Sequence, residues 1–228
     1  MDHSEVEQAL SDAERAFAQD AEANLYGRGF WAVVAAAKND PELVATFGDR
    51  ISNLDHEGFL RWAIVTIPLG IGTLIAITGT GFGLVLVAMS FSTDAPADGL
   101  LMLVGMFVLF TTLHSLAHLT VGRIVGIRFT HWFVGTIGRP QPGVKTDYAS
   151  YLRTPAAGRA WMHAAGAIVS KIVPFVLLPV ALAAEVPGWS IGGVVLMGVT
   201  GLITDTLFSR KSGDWKKFRR EMSFVSSE

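Results

Sequence analysis

Residues 62–91 read WAIVTIPLGIGTLIAITGTGFGLVLVAMSF, thirty residues without a charge. A bilayer crossing takes about 20 apolar residues, so the stretch is long for one span and short for two. A turn near 79–83 would leave a second arm of about a dozen residues, too few to cross. The stretch therefore predicts one long helix, tilted or broken at glycine.

Three further apolar blocks lie downstream. Residues 100–122 carry no charge apart from two His, residues 162–184 carry one Lys and one His, and residues 186–209 carry one Asp. Each is long enough to span. Mean hydropathy over the 228 residues is +0.42, and 17% are charged, against about 25% in soluble domains. The expected fold is an all-α integral membrane protein with four transmembrane helices. A net charge of -2 argues against nucleic-acid binding. The chain has no Cys, which excludes disulfides, thiolate nucleophiles and Cys-ligated metals. Any metal must be held by His, Asp or Glu.

Basic residues give the orientation. Arg50 and Arg61 precede the first block, and the loop 92–99 has no Lys or Arg. Residues 123–161 carry Arg123, Arg128, Arg139, Lys145, Arg153 and Arg159. The loop at 185–187 has none, and the tail has Arg210, Lys211, Lys216, Lys217, Arg219 and Arg220. With four spans every basic segment falls on one side, which makes both termini cytoplasmic in a multi-pass cell-membrane protein. The lipid bilayer is then the first partner.

The boundaries follow. Residues 1–58 hold twelve Asp and Glu against four basic residues, and read as an acidic helical region on the cytoplasmic side. No apolar core follows a basic start, so a signal peptide is not expected. Val6, Leu10, Ala13 and Phe17 recur at helical spacing. Asp40-Pro41 reads as an N-cap followed by a first-turn proline. Residues 59–208 form the membrane domain and 209–228 a basic cytoplasmic tail. Within the domain, 128–152 differs from its surroundings. Phe129, Thr130, Trp132, Phe133 and Val134 favour strand, and Gly138, Pro140, Pro142 and Gly143 favour turns. A short β-hairpin or re-entrant segment on the cytoplasmic side is expected. Tyr148, Tyr151 and Trp161 are placed in an interfacial aromatic belt.

Ionisable groups inside a bilayer are costly and point to function. His114 and His118 stand one helical turn apart on one face, a spacing that lets two imidazoles share a metal ion. His118 lies five residues before Arg123 and Asp205 five before Arg210, so both sit about 7–8 Å above their basic borders. His163, four residues after Arg159, lies about 6 Å deep. Three helices thus bring His114, His118, Asp205 and, as a further candidate, His163 to one level. Two His and a carboxylate suit zinc, and non-haem iron is compatible. Each His could instead be satisfied by a backbone or Thr hydrogen bond. Lys171 lies about 18 Å beyond Arg159, too deep to snorkel easily, and the sequence names no partner for it.

TTLHSLAHLTVGRIVGI over 111–127 resembles the HExxH helix of the site-2 protease family, the intramembrane zinc metalloproteases. The following strand-rich segment, the helix with His163-Ala164-Ala165-Gly166, the Asp205 of LITD and the tail SRKSGDWKKFRRE are similar to that family's order of parts, over residues 98–220. The resemblance implies zinc held by His114, His118 and Asp205. It departs at two places: the family's Asp-Gly and preceding Asn/Pro are missing around Asp205, where Thr206 follows, and Ser115 stands where the family has the Glu that takes a proton from metal-bound water. A hydroxyl does not titrate usefully near neutral pH. The resemblance therefore implies a zinc-binding, proteolytically inactive relative that binds or regulates transmembrane proteins or peptides. Three other readings stay open. One is an active metalloprotease with a rearranged base, such as a water held by Ser115 and Asp147. Another is a metal-free structural or transport protein. The last is an oxygenase or haem protein, which the single His pair does not favour.

Overall fold

The computed structural model describes residues 1–20, 23, 25, 29–135, 142–208 and 213–225, apart from the side chains at 205, 206 and 208. The chain divides into two units. One comprises residues 1–69, 122–159 and 221–228, and the other residues 70–121 and 160–220. The sequence-derived boundaries at 58 and 208 cut the chain differently, because the strand segment joins the N-terminal helices rather than the apolar ones.

In the first unit, α1 (His3–Gln19) opens on a capping box. The Asp2 carboxylate accepts from the Glu5 N–H, and Glu5 accepts from the Asp2 N–H. Its buried residues are Val6, Leu10, Ala13 and Phe17, the face expected from periodicity. After α2 (Phe30–Ala37), α3 (Pro41–Trp62) starts where expected, with Asp40 accepting from the Glu42 and Leu43 N–H groups and Pro41 in the first turn. The three helices and Leu152 of α6 (Tyr148–Arg153) enclose one core around Phe30, Val33, Phe47, Ile51 and Leu54.

The start of the long apolar stretch is not helical. Val65–Pro68 is a strand, β1. It pairs antiparallel with β2 (Phe129–Val134), which pairs antiparallel with β3 (Pro142–Thr146). Two β-branched residues flank Thr66, and Pro68 closes the strand where the helix begins. This resolves the length problem: α4 (Leu69–Met89) has 21 residues, about 31 Å of helix and one crossing. The expected pair of strands within 128–152 is present. Gly143 is required there, because a Cβ would lie 2.8 Å from the facing Phe133 ring. The turn residues Gly138 and Pro140 lie outside the described residues. Tyr151 is only 2% exposed, and Tyr148 packs on the helical core. Neither belongs to a surface belt. Trp161 is 53% exposed.

A charged cluster joins α3 to the sheet. Lys145 pairs with buried Asp55, and the imidazoles of His56 and His131 stack with centroids 5.5 Å apart. Burial pushes the His56 pKa down from 6.5, and neighbouring His131 and Lys145 push the same way, against Asp55 and Asp147. A His depressed in the folded state is protonated first in the unfolded chain. Its contribution is therefore present above the unfolded value and lost as pH falls through the folded one. Stability of this unit should drop from about pH 7 to pH 5 with a steeper slope in wild type than in His56→Gln, as read by denaturation at each pH. Equal slopes would contradict the assignment.

In the second unit, α4, α5 (Ala97–Ile124), α7 (Ala156–Ala183) and α8 (Gly188–Phe208) supply the helices. Val87, Met102, Met106, Leu109, Val173, Leu177 and Val194 form its core. Thr80 and Thr112 hydrogen-bond between α4 and α5 at 2.9 Å. Among the described residues, α4, α5 and α7 are long and apolar enough to cross a membrane, and α8 is apolar over Gly188–Thr204. The unit ends with the short α9 (Asp214–Met222), whose first seven residues belong to it.

Candidate metal centre

α5 sets His114 and His118 one turn apart, with ring centroids 4.7 Å apart. Two α7 groups orient the rings. His118 Nδ1 lies 2.7 Å from the Met162 carbonyl. A carbonyl only accepts, so Nδ1 carries the proton and donates. His114 Nδ1 lies 2.7 Å from Ser170 Oγ. That hydroxyl already donates to the Gly166 carbonyl at 3.0 Å, so its oxygen accepts from His114 Nδ1–H. Both assignments follow from the hydrogen-bond network. In the neutral rings both Nε2 atoms are then bare; in the protonated rings each carries a hydrogen toward its neighbours.

The two Nε2 atoms stand 3.1 Å apart, and each faces Asp214 Oδ2, at 3.4 Å from His114 and 3.3 Å from His118. With both rings neutral, two lone pairs and a carboxylate oxygen converge. Bare, this arrangement is repulsive; a cation at its centre satisfies all three. Ligands at about 2.0–2.2 Å on a tetrahedral metal are separated by about 3.3 Å, which the three distances match. His114, His118 and Asp214 form a group that could hold a metal ion.

The supporting contacts are those a metal site requires. Met162 and Ser170 fix the imidazoles. Lys217 donates to Asp214 Oδ1 at 3.1 Å, which leaves Oδ2 toward the histidines. Burial opposes the charge of Asp214, but with hydrogens on the facing Nε2 atoms the hydrogen bonds from His114 and His118, with the Lys217 ammonium, outweigh it and hold the carboxyl well below the ordinary carboxylate range when no cation is bound. Gly166 makes room: a Cβ there would collide with the His118 imidazole. Gly166→Ala should therefore displace His118 and weaken any metal binding by this group at least about ten-fold, as in the loss of an orienting contact. Wild-type affinity in this variant, measured by chelator competition, would show that the ring is not held there.

The sequence-predicted residues fare differently. His114 and His118 stand together as expected. Asp205 belongs to α8, but its side chain lies outside the described residues. His163 is half-buried on α7 and outside the group of three. Lys171 gains the partner the sequence did not name: its ammonium donates to the Ala167 carbonyl at 3.0 Å and lies 5.3 Å from the centroid of the Trp215 ring. Ser115 is buried, at 3% exposure. Asp147 is engaged elsewhere, capping α6 through the Ser150 N–H while bonding Ser52 and Arg128. It is therefore a poor candidate for holding a catalytic water with Ser115.

Sequence reasoning missed Asp214, Ser170 and Lys217. Asp214 sits in SRKSGDWKKFRRE, where four basic residues follow within six positions, and it reads there as a charge in a solvated tail. Its one local signal is Gly213, which takes a positive φ of 87° immediately before α9 and marks a chain reversal into a new helix. No family model, curated protein or solved structure matches this chain.

Proposed function

We propose that the chain is a site-2-protease-like, multi-pass membrane protein that holds zinc between His114, His118 and Asp214, and that it binds or regulates membrane proteins rather than hydrolysing them. The observation that carries this is the convergence of three ligand atoms 3.1–3.4 Å apart, each backed by its own orienting contact. Two imidazoles and a carboxylate suit zinc with a fourth position open.

Membrane placement is supported by the surface of the apolar helices. Ile71, Leu74, Ile77 and Phe82 on α4 and Leu196 and Leu207 on α8 are all exposed. A helix apolar on every side is at home in lipid. With α8 as a fourth span, the basic segments all face the cytoplasm, along with both termini and the β-hairpin.

A bound zinc would polarise a carbonyl or a water at the open position. Among the described residues there is no evident base for that water: Ser115 does not titrate near neutral pH, and Asp214 is a ligand. His114 and His118 hold, Met162, Ser170 and Lys217 orient, and the open position can accept a donor from a bound segment. Elemental analysis of the purified protein, joined to a casein and transmembrane-peptide cleavage assay, tests this. About one zinc per chain without cleavage is expected. Cleavage abolished by chelator and by His118→Ala would replace the proposal with an active protease. Zinc-free protein would favour a metal-free role, with the same three groups held by shared protons.

A further inference from the structure

Residues from 125–128 and 150–155 line one surface cleft of about 320 Å³. It begins at the end of α5, where the Gly126 N–H donates to the Arg123 carbonyl and the Ile127 N–H to the Gly122 carbonyl. That helix stop needs a left-handed residue, and Gly126 takes a φ of 96°. The reversal leads into Arg128, whose N–H donates to Ser150 Oγ and whose carbonyl accepts from the Asp147 N–H, both at 2.9 Å. Arg153, in the last turn of α6, lines the same cleft. Both arginines have carboxylate partners, and each partner engages one nitrogen. Arg128 Nε donates to Asp147 Oδ2 at 3.1 Å, and Arg153 Nη2 donates to Asp49 Oδ1 at 2.8 Å. A guanidinium carries five N–H donors on three nitrogens. Among the described residues, the Nη1 and Nη2 fork of Arg128 and the Nε and Nη1 of Arg153 keep their donors for a ligand. No acid lines the cleft among the described residues, since Asp147 and Asp49 hold the guanidinium groups from outside it. The hydroxyls in the wall are committed: Ser150 Oγ donates to the Asp147 carbonyl and Thr154 Oγ1 to the Ser150 carbonyl.

We propose that this cleft binds a phosphate group through Arg128 and Arg153. Four nitrogens on two planar guanidinium groups suit a tetrahedral oxyanion, which offers more oxygens than a carboxylate does. The two side chains are 72% and 46% exposed, so a ligand reaches them from solvent. The Arg153–Asp49 pair is a surface pair of small worth, and a phosphate competes with it at little cost. The wall directly follows α5 in the chain and directly precedes α7. In the membrane-spanning reading above, that continuity puts the cleft at headgroup level on the cytoplasmic side. The phosphate there belongs either to an anionic phospholipid or to a solute. The site stands independently of the zinc reading.

The test uses the full chain and two probes. Inorganic phosphate binding is read by equilibrium dialysis in detergent. Retention of phosphatidic acid over phosphatidylcholine is read by native mass spectrometry from mixed nanodiscs. Wild type should bind at least one probe, and Arg153→Gln should weaken that binding at least about ten-fold. Asp49→Asn should strengthen it a few-fold, because it returns Arg153 Nη2 to the ligand and removes a charge that offsets the guanidinium. A variant that has merely lost its fold cannot gain affinity, so this arm stands even if Arg153→Gln folds poorly. Phosphatidic acid that stays bound against excess inorganic phosphate assigns the site to a headgroup. Inorganic phosphate bound without any lipid preference assigns it to a soluble phosphate. Wild type that binds neither probe, Arg153→Gln at wild-type affinity, or Asp49→Asn no tighter than wild type overturns the site.

Discussion

Replacing Glu221 with Gln is expected to cost the N-terminal unit about 3–5 kcal/mol. The Glu221 carboxylate is fully buried, and it pairs with two cations that are no more than 3% exposed. Lys38 reaches one carboxylate oxygen, and Arg159 Nε donates to the other at 2.9 Å. Removing the only negative charge of this triad leaves two cations without their shared counter-ion in an apolar setting. Lys38 keeps the faces of Tyr151 and Phe224, with centroids 5.2 and 5.5 Å away, and Arg159 keeps the Thr154 carbonyl at 2.6 Å. Those contacts solvate a cation without neutralising it. In a thermal melt the variant should fall by roughly 10 °C. The exposed Arg153–Asp49 pair, at 2.8 Å, is the control: Asp49→Asn should change stability by less than about 1 kcal/mol. A Glu221→Gln melt within a degree or two of wild type would mean that water reaches the triad. Adding Lys38→Met to Glu221→Gln should recover part of the loss, because it removes one of the stranded charges.

What could be read from the chain and what could not divides by the range of the interaction. The α1 face, the Asp40 cap and the i, i+4 pair of His114 and His118 are local, set by spacing and capping chemistry within a few residues. The strand β1 is not. VTIP lies inside an uncharged run, and only its pairing with residues 131–134 holds it extended. Tyr148 and Tyr151 lie between basic residues and read as membrane-surface aromatics, but the fold turns them onto the helical core and the Lys38 cation. That Asp214 faces the histidines was not legible for a related reason. Counting rise per residue from basic borders gives the depth of a straight span, and by that measure Asp205 was the acid level with the histidines. It carries no information on a helix that packs against α7 after the last apolar block has ended. Lys171 shows the same limit from the other side: its burial was legible, but its aromatic partner, forty-four positions away in sequence, was not.

Asp214→Ala should weaken zinc binding at least about a hundred-fold, since losing a direct ligand costs more than losing an orienting contact, worth 10–100-fold. If the donors are His114, His118 and Asp214, as proposed, Asp205→Ala should leave the affinity within about two-fold of wild type. The pair of variants decides between the depth argument and the geometry. Asp214 has three features that a ligand needs. Its Oδ2 faces both imidazole Nε2 atoms, at 3.3 and 3.4 Å. Its Oδ1 is held by Lys217, which fixes the carboxylate rotation. Its carboxyl is held below the ordinary carboxylate range although the group is buried. His118→Ala is the positive control, since it removes a nitrogen of the same triangle, and it should abolish stoichiometric zinc together with Asp214→Ala. If Asp205→Ala loses zinc while Asp214→Ala keeps it, the third ligand moves to α8, and the convergence on α9 reduces to a pair of imidazoles hydrogen-bonded to a helix start.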